Sequence, residues 1–142
     1  MVPGKSKRSC ANQLEHLELR RLLSTVYVSA AAPGVSPDGA SWATAFTDLQ
    51  QALAVANVGD TIEVGQGTYY PTAGTDRTAT FELQNGISIE GGFAGYGATN
   101  PDQHNAALYP TTLSGDIGAA GDSSDNSYHV VTVSGFDYSE TL

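Results

Sequence analysis

Past Gly59 the sequence never keeps an apolar pattern long enough to make a helix, and this restricts the fold more than any other feature. Short β-prone runs recur instead, at Thr61 to Val64, Thr80 to Leu83, Ile87 to Ile89, Thr111 to Leu113 and Tyr128 to Val133. Each is bounded by turn formers such as Gly65-Gln66-Gly67, Asn85-Gly86 and Gly91-Gly92, where Gly and Asn supply backbone conformations that strands cannot use. Taking Ile62, Ile89, Leu113 and Val131 as equivalent positions gives a loose repeat of about 18 to 27 residues, near the range of solenoid proteins, with a hairpin-based sandwich as the competing architecture. Ahead of these runs lies one more, Thr25-Val26-Tyr27-Val28, closed by a loop containing Pro33, Gly34, Pro37, Asp38 and Gly39. A single helix is predicted between the two regions. Thr47 with Gln50 three residues on has the form of a capping box. Leu49, Ala52, Leu53 and Ala56 then form one apolar stripe, and Gly59 follows where a helix would end. Trp42 and Phe46, just before it, are read as packing residues.

Charge divides the chain at about the same place as pattern. Of its six basic residues, five (Lys5, Lys7, Arg8, Arg20, Arg21) lie in the first 21 positions beside two acids, Glu15 and Glu18, for a net +3. Everything after them holds Arg77 against thirteen acids, for a net −12. A body with one cation cannot neutralise a run of phosphates, so nucleic acid is excluded as a partner. No run reaches the ~20 apolar residues of a membrane span. Cys10 is the sole cysteine, so no disulfide forms within the chain and no thiol pair suggests zinc or redox chemistry.

Residues 1–24 read as a targeting or sorting-like segment, and residues 25–142 as the folded body. A conventional signal peptide would place an apolar block directly after the basic start, whereas here mixed charge comes first. Leu17-Glu18-Leu19-Arg20-Arg21-Leu22-Leu23-Ser24 resembles the LEPR-XLL motif of large extracellular proteins of planctomycete bacteria, with Leu19 at the position of its Pro. That resemblance implies export to the cell surface or beyond. A second resemblance rests on Asp38-Gly39-Ala40-Ser41-Trp42-Ala43-Thr44-Ala45-Phe46, Gly59-Asp60-Thr61-Ile62-Glu63-Val64 and Gly67-Thr68-Tyr69-Tyr70-Pro71. It continues through Gly91-Gly92-Phe93-Ala94-Gly95, Leu113-Ser114-Gly115-Asp116 and Asn126 to Val131. These pieces resemble the start of bacterial pectin-lyase-like proteins. The fold so implied is all-β: an incomplete right-handed parallel β-helix, or solenoid, with an N-terminal capping α-helix. Since no closing cap follows Ser134, the chain is expected to be a fragment of a longer one.

Little in the body points to catalysis. Arg77 lies in a Gly/Thr/Asp loop and is read as a solvated residue. His16, His104 and His129 are far apart, and His129 alternates with apolar neighbours as a strand residue does. Neither a nucleophile elbow nor a phosphate-binding glycine motif is present. One chemical candidate stands out, the loop from Asp116 to Asn126. There Asp116, Asp122, Asp125 and Asn126 offer hard oxygen ligands suited to calcium, although the spacing is not that of an EF-hand and the same residue types are ordinary turn formers. The function expected is that of a non-enzymatic structural or adhesive segment of an exported, cell-surface protein. Two alternatives stand beside it: the inert cap of a polysaccharide lyase or glycoside hydrolase, and a polysaccharide-binding module using Tyr69, Tyr70, Phe93 and Tyr96. Extracellular polysaccharide and cell-surface components are the partners these readings imply.

Overall fold

The computed structural model describes residues 24–134. The export-type motif, apart from Ser24, lies outside them, as do Cys10 and His16. Strand β1 (Thr25–Val28) turns Val26 and Val28 inward and leaves Thr25 and Tyr27 half-buried on the other face, the period-2 alternation of a strand with one covered side. It pairs in parallel with β2 (Thr61–Gly65), placing Val26 beside Ile62 and Val28 beside Val64. Strand β5 (Ser88–Phe93) lies on the far side of β2, with Ile89 beside Ile62. Two further parallel pairs complete the strands: β3 (Gly67–Tyr69) with β6 (Thr111–Leu113), and β4 (Phe81–Gln84) with β7 (Val131–Ser134).

The helix, α1, runs from Leu49 to Val55 and buries Leu49, Ala52 and Leu53. Its N-cap is Asp48 rather than Thr47: the Asp48 Oδ1 accepts from the Gln50 amide at 3.0 Å, giving an orphan N–H of the first turn its partner. The Gln50 side chain faces away from the cap. Its amide nitrogen donates at 2.8 Å to the Pro71 and Thr80 carbonyls, tying α1 to the segment entering β4. No helix among the described residues is long and apolar enough to cross a membrane.

The expectation of a right-handed parallel β-helix with a capping helix is corrected by this topology. The strands are short and fall into three small sheets of three, two and two strands, with one short helix between β1 and β2 and no closed solenoid among the described residues. The proposed equivalence of Ile62, Ile89, Leu113 and Val131 accounts for the error. Only Ile62 and Ile89 are neighbours in one sheet, whereas Leu113 pairs with Tyr69 and Val131 with Phe81 in the other two. Similar apolar runs recur because each sheet needs an inward row, not because one strand repeats.

One core serves all three sheets. Val26, Val28, Phe46, Leu49, Ala52, Leu53, Ile62, Val64, Tyr69 and Phe81 form it, and Leu83, Ile87, Ile89, Leu113 and Val130 pack on it partly buried. Its two ends differ. The outer edge of β1 is closed by residues 39–46: the Tyr27 amide donates to the Gly39 carbonyl at 2.9 Å, and the Phe46 amide donates to the Tyr27 carbonyl at 3.0 Å. The Ser29 amide donates to the Phe46 carbonyl at 2.8 Å. Gly39 is needed there, since at φ +71° a Cβ would lie 2.7 Å from the Phe46 ring and 2.9 Å from Val26. At the other end β6, β7 and the first half of β5 have one partner each among the described residues. Burial falls off toward them from Ile62 to Ile89, from Tyr69 to Leu113 and from Phe81 to Val131. Phe81 is fully buried while its neighbour Val131 is 40% exposed, and Val133, beside half-buried Leu83, is 57% exposed.

Candidate functional site

The four residues expected to hold calcium do share one loop, but their side chains serve the loop itself. Both Asp116 carboxylate oxygens accept from the Gly121 amide at 3.0 Å. Asp125 Oδ2 accepts from the Ala119 amide at 2.7 Å. Asp122 Oδ1 accepts from the Ser124 hydroxyl at 2.6 Å and its amide at 2.9 Å, and these two bonds, the hydroxyl's first, hold the carboxyl below the usual aspartate range. With its nitrogen turned inward, the Asn126 amide donates at 3.1 Å to the Asp122 carbonyl and to Asp116 Oδ1. Ile117 is buried within the same loop. Among the described residues no group of three or more His, Cys, Asp or Glu side chains converges as a metal would require.

A denser polar cluster lies on the outward face of the three-stranded sheet. The parallel register sets Tyr27, Glu63 and Glu90 side by side across β1, β2 and β5. Burial raises the Glu63 carboxyl above the ordinary glutamate value, and the negative charges of Asp102 and Glu90 raise it further, while His104 opposes them. Burial, and then Glu63 and Asp102, raise the Tyr27 phenol in the same way. An aromatic path borders this row. Tyr27 lies 4.8 Å from Trp42 between ring centroids, Trp42 lies 5.8 Å from Phe93, and Phe93 stacks on His104 at 4.6 Å. The Trp42 Nε1 donates to Asp102 Oδ1 at 2.7 Å, and His104 Nε2 lies 2.8 Å from the Gly91 carbonyl. A carbonyl can only accept, so His104 carries a proton on Nε2. This arrangement holds the Glu63 carboxyl protonated to a higher pH than an ordinary glutamate and fixes the 101–105 segment over the end of β5. Nothing in the one-dimensional sequence marks Glu63 and Glu90. Their offset is that of Ile62 and Ile89, and the juxtaposition follows once those two are paired.

The aromatics considered for stacking on glycans separate into two kinds. Tyr69 and Phe93 are interior. The Tyr69 hydroxyl donates to the Gly65 carbonyl at 2.9 Å and accepts from the Ala30 amide at 3.0 Å. Tyr70 and Tyr96 are exposed. Trp42 and Phe46 are buried, as packing residues should be. His129 is exposed just before β7. Arg77 departs from expectation: it is half-buried, with its guanidinium 4.3 Å over the Tyr128 ring.

Comparison of the chain with protein-family models, with curated proteins and with solved structures finds no significant match.

Proposed function

We propose that this chain is a non-enzymatic structural or adhesive segment of an exported, cell-surface protein, and that it works by strand addition at the edges of β5, β6 and β7, which have one partner each among the described residues. The carrying observation is the fall in burial from one end of the core to the other. A closed edge at β1 and incompletely covered apolar rows at the opposite end suit an element made to be continued by another strand. Unpaired edges with apolar neighbours template association, and main-chain hydrogen bonds then supply the affinity. Two features support the setting. The Leu17 to Ser24 stretch resembles an export-associated motif, and the net charge of −9 suits a solvated surface. The groups best able to do chemistry also have structural duties, with Asp38, Asp76 and Asp122 closing turns and His104 stacked on Phe93.

Sedimentation velocity of the full chain tests the mode of action, with a second copy standing in for the neighbouring strand. Acidic copies repel one another at low salt, but at 1 M salt the screening length falls to about 3 Å. The wild type is expected to associate there, and a Val131→Lys/Val133→Lys double variant to stay monomeric, because charge on an edge strand blocks pairing. A wild type that stays monomeric at high salt, or a double variant that associates equally well, counts against strand addition. Release of products from polygalacturonate or related glycans, with or without calcium, would overturn the non-enzymatic reading.

A further inference from the structure

We propose that the cleft beside Arg77 binds a small organic carboxylate with an apolar body. Arg77 is the sole Lys or Arg between residues 24 and 134, a stretch with eleven acidic residues. In such surroundings a cation ordinarily finds a carboxylate. Among the described residues its partners are a backbone carbonyl, with Arg77 Nε donating to Asn126 O at 2.7 Å, and the Tyr128 ring. The carboxylates nearest in sequence and in the opposing loop bind their own loops through one oxygen each: Asp76 Oδ1 accepts from the Thr78 hydroxyl and amide, and Asp125 Oδ2 from the Ala119 amide, while the buried Asp125 Oδ1 has no hydrogen-bond partner among the described residues.

The guanidinium is also held in a defined plane. The Nε bond fixes one edge and the aromatic face fixes the tilt. The Tyr128 amide donates to the Arg77 carbonyl at 2.9 Å, so anchor and platform belong to one braced unit. With Nε engaged, the terminal Nη1/Nη2 edge remains, and that edge matches a carboxylate in bidentate fashion. Arg77 lines a cleft of about 510 Å³ together with Thr78, Thr80, Tyr128, His129 and Thr132. That volume lies in the range of small-molecule sites, roughly 300 to 1,000 Å³. The Thr80 hydroxyl already donates to the Val130 carbonyl and the Thr78 hydroxyl to Asp76, so beside the His129 imidazole the walls offer mainly methyl groups and the Tyr128 ring. One cationic fork in an acidic field selects a single negative charge over a dianion, and the apolar walls select a compact hydrophobic body.

Benzoate is the probe, followed in the full chain through the Arg77 Nε–Hε resonance and thermal melting. The expected result is saturable binding with a Kd on the order of 1 mM, at least about tenfold weaker in Arg77→Gln and also weakened in Arg77→Lys, which keeps the charge but loses the fork. Neutral benzamide and inorganic phosphate should give no saturable shift. Glucuronate, with the same carboxylate on a polar body, should bind less tightly than benzoate. Absence of saturable benzoate binding overturns the proposal, as does undiminished affinity in a folded Arg77→Gln. Equal or tighter binding of glucuronate or phosphate overturns it too. Should Arg77→Gln fail to fold, the Arg77→Lys comparison decides the matter on the same terms.

Discussion

Ile62 and Ile89 are neighbours in one row of one sheet, yet the first is fully buried and the second only partly covered. Truncating each to Ala removes the same atoms, and the strand preference lost with them itself depends on how well the side chain is packed. What differs is the cover. At Ile62, enclosed by β1, β5 and α1, a buried Ile→Ala change costs about 2–5 kcal/mol, the upper part of that range reflecting a cavity that neighbours cannot fill. At Ile89 part of the side chain already meets water and the site can relax outward, so about 1–2 kcal/mol is expected from lost apolar burial alone. Urea unfolding, followed by far-UV circular dichroism and tryptophan fluorescence, measures both. With a slope of roughly 1.5 kcal/mol/M, Ile62→Ala should lower the midpoint by about 2–3 M, from the upper part of its range, and Ile89→Ala by about 0.7–1.3 M. Equal losses at the two positions would refute the gradient in burial, and with it the claim that one end of the core is open.

Further outcomes follow from the same geometry. Glu63 binds its proton more tightly in the folded chain than in the unfolded one, so it makes stability fall as pH rises from the ordinary value of 4.5 through its raised value. Glu63→Gln should therefore melt higher than wild type at about pH 7 and differ little at about pH 4; an unchanged difference between the two would contradict the assigned environment. Tyr69→Phe keeps the ring but removes the hydroxyl that bridges Gly65 and Ala30, at a cost of about 1–3 kcal/mol measured by denaturant unfolding. Gly39→Ala places a methyl against Phe46 and Val26 at a positive φ, and thermal unfolding should register a loss of about 1–3 kcal/mol.

Much of the local structure was legible in the sequence because it depends on local pattern. The β1 and β6 limits follow directly from Thr25–Val28 and Thr111–Leu113, and the apolar stripe of α1 is the face it buries. The cap shifted by one residue because Asp48 and Thr47 are both competent, and the distant Pro71 and Thr80 carbonyls capture the Gln50 side chain. Strand β3 escaped notice because Gly67-Thr68-Tyr69 carries one apolar residue and a turn-forming glycine; its pairing with Thr111 to Leu113 is what makes it a strand. Long-range pairing also limited the architecture and the sites. Ile62 and Ile89 were matched correctly, yet no pattern distinguishes a third strand of that sheet from Leu113 and Val131 in two others. Arg77 looks solvated when read beside Asp76 and Thr78, and only Tyr128 and Asn126, about fifty positions on, reveal its fixed orientation.

Amide hydrogen exchange, compared between dilute low-salt and concentrated high-salt solutions of the full chain, tests the central claim most directly. Tyr27 and Ser29 amides, already bonded to Gly39 and Phe46, should be protected in both conditions. Amides of β6 and β7 that point away from β3 and β4 should exchange quickly in the dilute chain and gain protection on association. Protection gained around β1 instead, or none gained at β6 and β7 while the chain associates, would contradict an element that is closed at one edge and continued at the other.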